Sequence, residues 1–275
     1  MLRISQLTIY PIKSMSGITV DRARVTDRGL EHDRRWMLID RDNSFLTQRE
    51  FPAMALMKVE LTPEGLRVRH PLQPVPLTIP FPSQTDAGTS DGTPTGTSST
   101  IVRIWDDTCP ARFVSGEADD WFSSALNTNC RLVYMPDETA RITDQNYAPE
   151  GSITSFADGY PFLLIGQASL DELNGRLDQP LPMDRFRPNI VFTGGSPYQE
   201  DSLQAFSIRN IRFRGVKLCA RCKITTIDQA TARQGKEPLR TLARYRARDN
   251  KVLFGQNLVH EGTGELAVGD ELVPA

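Results

Sequence analysis

The sequence is short of cysteine, of histidine, of net charge and of long apolar runs, and each shortage narrows what the protein can be. Four cysteines in 275 residues, Cys109, Cys130, Cys219 and Cys222, are too few for a disulfide scaffold. A reducing, cytoplasmic setting is expected. The three histidines and two remaining cysteines offer no second ligand pair to accompany Cys219 and Cys222 in a structural zinc site. A formal charge of −2 carries no basic excess, so neither a nucleic-acid polymer nor a membrane surface is an expected partner. No apolar run approaches the roughly 18 residues of a membrane span. The first ten residues alternate like a strand and lack the apolar stretch of a signal peptide.

What is present is ordinary in bulk: 39% hydrophobic and 24% charged residues, enough for a substantial core. Short β-prone runs separated by turn residues dominate and predict a mainly β, α+β protein. Strands are expected at 4–10, 18–26, 37–40 and 45–48, with a hairpin around Pro63-Glu64-Gly65 and another around Arg209-Asn210. Residues 83–100 are Ser, Thr, Gly, Asp and Pro with almost no bulky apolar residue, the composition of a flexible surface loop. Helical spacing occurs at 119–126 and at 168–177, the latter with Ser169 as N-cap and Glu172 three residues on. The expected division is 1–118 and 119–275.

The most unusual stretch is Lys217-Leu218-Cys219-Ala220-Arg221-Cys222-Lys223. Two thiols lie three residues apart beside a guanidinium, and a nearby cation favours the thiolate, which is a soft metal ligand. A thioredoxin-type pair would open a helix after a strand. Here Thr225-Thr226-Ile227 reads as continuing strand. The alternative is a reduced, half-buried pair with no role. Arg34, Arg35, Arg49, Arg187 and Arg221 all lie beside strand ends or turns. Guanidinium forks suit phosphate oxygens, and Lys13-Ser14 offers a point charge and a hydroxyl for the same task. His32 and Asp33 read as a structural polar pair. Neither Gly194-Gly195 nor Gly262-Thr263-Gly264 matches a phosphate-loop or dinucleotide fingerprint.

In their order and spacing, several stretches resemble the MOSC-domain family over nearly the whole chain, in particular the amidoxime-reducing component and its bacterial relatives. They are Tyr10-Pro11-Ile12-Lys13-Ser14, Asp33-Arg34-Arg35-Trp36, Phe186-Arg187-Pro188-Asn189-Ile190, Cys219-Ala220-Arg221-Cys222 and Phe254-Gly255-Gln256-Asn257. The resemblance implies a MOSC β-barrel with an N-terminal β-barrel-like region and a cleft between them. It implies a molybdenum cofactor, a pterin dithiolene with a phosphate, whose metal takes the Cys222 thiolate. Lys13, Ser14, Arg34, Arg187 and Arg221 would grip the pterin and phosphate, with Asn189 nearby and Cys219 in a lesser role. The implied activity is reduction of small N-hydroxylated compounds. No iron–sulfur-type cysteines follow Cys222, so a separate electron donor, a ferredoxin or flavoprotein, is expected. A second reading, from the same family, is a cofactor- or sulfur-carrier module.

Overall fold

The computed structural model describes residues 1–82 and 98–275. The expected surface loop at 83–100 lies outside the described residues, apart from Ser98 and the strand that Ser99 and Thr100 open. Seven strands close into a barrel. In ring order they are Phe162–Gly166, Ile190–Thr193, Leu2–Ile9, Glu271–Pro274, Ala205–Ile208, Ile211–Arg221 and Lys251–Glu261, and the last pairs back onto the first. One neighbour pair, Phe162–Gly166 with Ile190–Thr193, is parallel. Parallel strands need a crossover, and helix Gln167–Asn174 lies within it. Side chains such as Leu7, Leu164, Ile190, Phe213 and Leu258 fill the interior, so the barrel is a packed core.

A second unit leans on this barrel. It contains a four-stranded sheet of Trp36–Ile39, Arg131–Tyr134, Asp107–Phe113 and Ser99–Ile104. A three-stranded sheet, Lys58–Thr62, Gly65–Arg69 and Leu77–Pro80, packs beside it, and Ile12, Trp36, Leu66, Phe122 and Leu132 share one core. Helix Gly116–Leu126 belongs to this unit: Ser115 caps it by accepting from the Ala118 N–H, and Ala118 and Phe122 are buried in that core. The expected boundary at residue 119 therefore falls inside a helix. The first strand, Leu2–Ile9, is built into the barrel made by residues 162 onward. The chain is mostly β, as its composition predicted, with few helices among the described residues.

Four local expectations are corrected. Residues 18–26 are two strands: Ile18–Val20 pairs with Leu2–Ile9, and Arg22–Thr26 pairs with Gly264–Ala267 in another sheet. The change of partner comes at Asp21, whose carbonyl accepts from the Val268 N–H. In 45–48 only Phe45 bridges a strand, after which the chain turns as Thr47 O accepts from the Phe51 N–H. The helix expected from 168 starts at Gln167 after Gly166 and stops at Asn174, and Ser169 is buried inside it, donating to Glu200 Oε2 at 2.7 Å. Thr225-Thr226 is not strand but part of a 3₁₀ turn, Lys223–Thr226. The Thr225 and Thr226 hydroxyls donate to the Cys222 and Lys223 carbonyls at 3.0 and 2.7 Å. Such short-range bonds compete with the sheet ladder and end the strand at Arg221.

Candidate functional site

The long strand Ile211–Arg221 carries Cys219 to the rim of a cleft, and the turn that ends it presents Cys222. The same cleft is lined by Lys13, Ser14, Arg34, Arg187, Asn189 and Arg221, so all seven expected site residues meet in one place. Counting its open mouth, the cleft holds about 850 Å³ of space between the surrounding atoms. Residues from both units form its walls: 13–14, 34 and 47–49 from one, and 157–163, 186–189 and 219–225 from the other.

Sequence reasoning left one residue out of the site that the fold places at its centre. The fork of Arg49 donates to Cys222 Sγ through Nε at 3.3 Å and Nη2 at 3.1 Å. The face of this guanidinium lies over the Trp105 ring, 4.2 Å from its centroid. A planar fork on a sulfur complements a negatively charged ligand atom. In the sequence Arg49 reads as one of several basic residues beside turns. Its contact with a cysteine 173 residues away has no trace in local sequence.

The other cations are held by a connected framework. Arg34 and Arg187 lie over the buried Tyr10 ring, with 4.5 and 4.2 Å from guanidinium carbon to centroid. Burial pushes the Tyr10 hydroxyl up to about 12, so it stays protonated and donates to Pro188 O. Arg187 donates to Met15 O at 2.6 Å, and burial draws its guanidinium down to about 10. Arg34 donates to Asp33 at 2.6 Å and to Asn189 Oδ1 at 3.1 Å. Asn189 also accepts from the Leu163 N–H and donates to Thr8 O. Its amide thus orients Arg34 and joins strand ends. Arg221 donates to Cys219 Sγ at 2.9 Å and to Phe186 O at 2.6 Å. Arg35 points elsewhere, onto Met135 O, Tyr134 and Asp137. His32 stacks on Phe81, while Asp33 accepts from the Tyr10 N–H, so both serve structure.

Lys13 is buried and donates to Phe156 O at 2.7 Å and to Asp158 at 2.6 Å. Burial lowers its ammonium to about 8 despite that carboxylate. The Asp158 side chain is 63% exposed at the cleft wall. Burial of its surroundings pulls its carboxyl up, but Lys13, then Arg49 and Arg34, hold it well below the usual carboxylate range. Behind it the buried Arg141 clamps the carbonyls of Ser155, Ala157 and Asp158. Ser14, Arg34 and Arg187 all carry left-handed φ, 66°, 49° and 57°. Such non-glycine backbone costs roughly 1–3 kcal/mol per residue and persists where the surroundings enforce it, often at binding sites.

The donor set fits a metal–pterin group with a phosphate. Five cations line the cleft against the carboxylate of Asp158. Arg49 Nη1, Arg221 Nε and Tyr160 Oη are buried polar atoms without partners among the described residues, all in residues that line this cleft. Buried donors are normally satisfied, and an anionic ligand would satisfy these. Among the described residues no three His, Cys, Asp or Glu side chains converge to hold a metal by themselves, and the soft protein ligands that the cleft offers are Cys222 and Cys219.

Known protein families match most of the chain. The MOSC N-terminal beta barrel domain matches residues 1–129 and the MOSC domain matches residues 152–273. Mitochondrial amidoxime reducing component 2 of Rattus norvegicus is 33% identical, covering 97% of this chain and 81% of the relative. Mitochondrial amidoxime-reducing component 1 of Homo sapiens is 32% identical over the same shares, 97% and 81%. Molybdenum cofactor sulfurase of Solanum lycopersicum is 29% identical over 98% of this chain but only 35% of its own length.

Proposed function

We propose a function from one premise: this chain belongs to the MOSC-domain family, with the amidoxime-reducing components among its relatives. It acts as a molybdenum-cofactor-dependent reductase of small N-hydroxylated compounds. The observation that carries this reading is the Cys222 sulfur under the Arg49 fork, inside a cleft whose other cations and orphaned N–H groups suit an anionic pterin phosphate. When bound, the cofactor supplies the two electrons that break an N–O bond, with two protons taken up and the oxygen leaving as water.

The chain's own residues bind and orient. Cys222 is the protein's ligand to the metal, and Arg49 fixes the direction of its sulfur. Lys13, Ser14, Arg34, Arg187 and Arg221 hold the anion, each braced by the framework described above. The Tyr10 platform keeps two guanidinium groups close together despite their repulsion. Asp158 keeps Lys13 charged at neutral pH by pairing with it. Gly159, Tyr160 and Asn257 complete the lining against which substrate sits. Electrons arrive from a separate carrier, a ferredoxin or a flavoprotein.

The test is protein made in a host that synthesises the cofactor, analysed for molybdenum and pterin and assayed with benzamidoxime and an artificial reductant. Stoichiometric molybdenum with turnover supports the reading, and Cys219→Ser should retain most of both. Molybdenum without turnover favours a second reading, a cofactor or sulfur carrier, which the match of the whole chain to part of a molybdenum cofactor sulfurase motivates. Absence of molybdenum removes the support for both.

A further inference from the structure

The chain's charge is unevenly divided. Residues 217–251 contain ten Lys and Arg against three Asp and Glu, a balance of +7 in a protein whose total is −2. This segment wraps the end of the barrel that bears Cys222. After the turn Lys223–Thr226 the chain folds back on itself: Gly235 N–H donates to Thr226 O, Asp228 N–H to Arg233 O, and Ile227 bridges Gln234. The fold-back places exposed Arg233 and Lys236 against the same turn that presents Cys222, with exposed Lys223 within it. On the other flank, the hairpin of Ala247–Arg248 and Lys251–Glu261 pairs Val252 with Arg221, so exposed Lys251 and Arg248 sit beside the strand end. Lys223, Arg233, Lys236 and Lys251 have no carboxylate at ion-pair distance among the described residues. The cations inside the cleft, by contrast, are buried (Lys13) or half-buried (Arg34, Arg49, Arg187 and Arg221) and are braced by the contacts described above.

We infer that this basic rim is the docking surface for a small electron-carrier protein with an acidic surface; the inference rests on the reductase reading. Electron transfer between proteins is efficient only at short distance, so a carrier has to dock close to the redox centre, and the rim beside Cys222 is such a place. Unpaired surface cations around such a mouth raise the encounter rate with an anionic partner and orient it. The fold-back 223–236 has no aromatic residue, which disfavours nucleic acid, because stacking platforms accompany basic grooves that bind strands. It also lacks the large exposed apolar residues with which an interfacial segment enters a membrane. An electron-transfer encounter needs only a small, polar, electrostatically guided contact.

The experiment uses the molybdenum-loaded protein and two probes of acidic surface, a plant-type ferredoxin and a flavodoxin, with basic cytochrome c as the opposite-charge probe. Binding is measured by calorimetry at low and at physiological salt. Turnover is measured with each reduced carrier and with a small artificial reductant. Arg233→Glu with Lys236→Glu should weaken binding of an acidic carrier and raise its apparent KM by roughly tenfold or more at low salt. The effect should shrink as salt shortens the screening length, which is about 8 Å at physiological ionic strength. Lys223 is left intact because it adjoins Cys222. Arg214→Glu, on an exposed part of the same strand seven residues before Arg221, should leave both quantities unchanged. Unaltered binding in the double variant overturns the inference, as does equal binding of cytochrome c or failure of both acidic carriers to bind. Tighter binding of a DNA duplex or anionic vesicles through the same residues overturns it too. If the small reductant drives no turnover in the unmodified protein, the reductase reading fails while the binding comparison still decides the surface.

Discussion

Two regions of this molecule use cysteine in opposite ways. In the sheet unit, Cys109 lies in the core with Met37, Val102 and Phe156, and Cys130 packs beside Phe122 and Leu132. Burial pushes both thiols up to about 11, so they stay protonated and behave as small apolar filler. At the barrel end, Cys219 and Cys222 are half-buried and each receives guanidinium N–H groups, from Arg221 and Arg49. The same side chain is inert filler in one place and meets charged donors in the other, where Cys222 is the proposed ligand. Charged donors within reach of sulfur make the difference, and spacing between cysteines does not.

The largest effect that tests this contrast comes from Cys222→Ser. It should abolish molybdenum retention and reductase turnover, because a hydroxyl is a harder, less anionic ligand than a thiolate. Cys109→Ala should leave metal content intact and lower stability by about 1–2 kcal/mol through lost packing. Metal analysis and chemical denaturation of the two variants check the pair, and equal metal content in both would erase the distinction.

Arg187→Ala comes next. It removes a cation from the Tyr10 platform and leaves Met15 O without its donor. Pterin recovered after desalting should fall sharply, and an unchanged yield would count against a role in holding the anion. Arg49→Lys is a finer probe. Lysine keeps a charge but cannot place two coplanar donors on Sγ or stack on Trp105 in the same way. Outer-shell partners of a metal ligand are typically worth about 10–100-fold in affinity or activity, so metal affinity should fall by about that much while the fold is preserved. A competitive chelator titration measures this.

The smallest effect is a pH dependence. The ordinary lysine value is 10.5, and burial lowers that of Lys13 to about 8 in the folded chain. Between these pH values the unfolded chain holds a proton that the folded chain has released. The unfolded state therefore binds more protons, and the Lys13 contribution to stability rises with pH across that window. Retention of an anionic ligand should fall as pH rises through about 8, where the folded chain's Lys13 loses its charge. Melting curves from pH 7.5 to 10 should show this component in the cofactor-free protein, and Lys13→Met should remove it. Persistence of the full slope in that variant would assign it to another group.

Part of the site was readable because the residues that bear it stand in short, chemically distinctive runs. Lys13-Ser14, Arg34, Arg187 and Cys222 stand in such runs, and the fold brings all of them to the lining of one cleft. The role of Arg49 was not readable. Its partner is remote in sequence, and the turn that aims it depends on Gln48 reaching the carbonyl of Ser14 and the side chain of Gln229. Nor was the left-handed backbone of Ser14, Arg34 and Arg187, since none is a glycine. Propensity misread Thr225-Thr226, because β-branched residues favour strands until their hydroxyls find a nearby carbonyl. It also missed the change of sheet at Asp21, which a single alternating run conceals.

Composition and alternation were sufficient for a mainly β chain with a buried core, because side-chain period and apolar content are local properties. They also sufficed for the soft sulfur and the surplus of cationic turn residues from which a site could be built. Closure of the barrel needed tertiary structure: Leu2–Ile9 takes its places beside Ile190–Thr193 and Glu271–Pro274, partners set by the packing of distant strands. The pairing of Arg49 with Cys222, the sharing of Tyr10 by two guanidinium groups and the burial that shifts Lys13 arise in the same way. Each depends on which remote residues exclude water around a charge, and that is decided only when the two units come together.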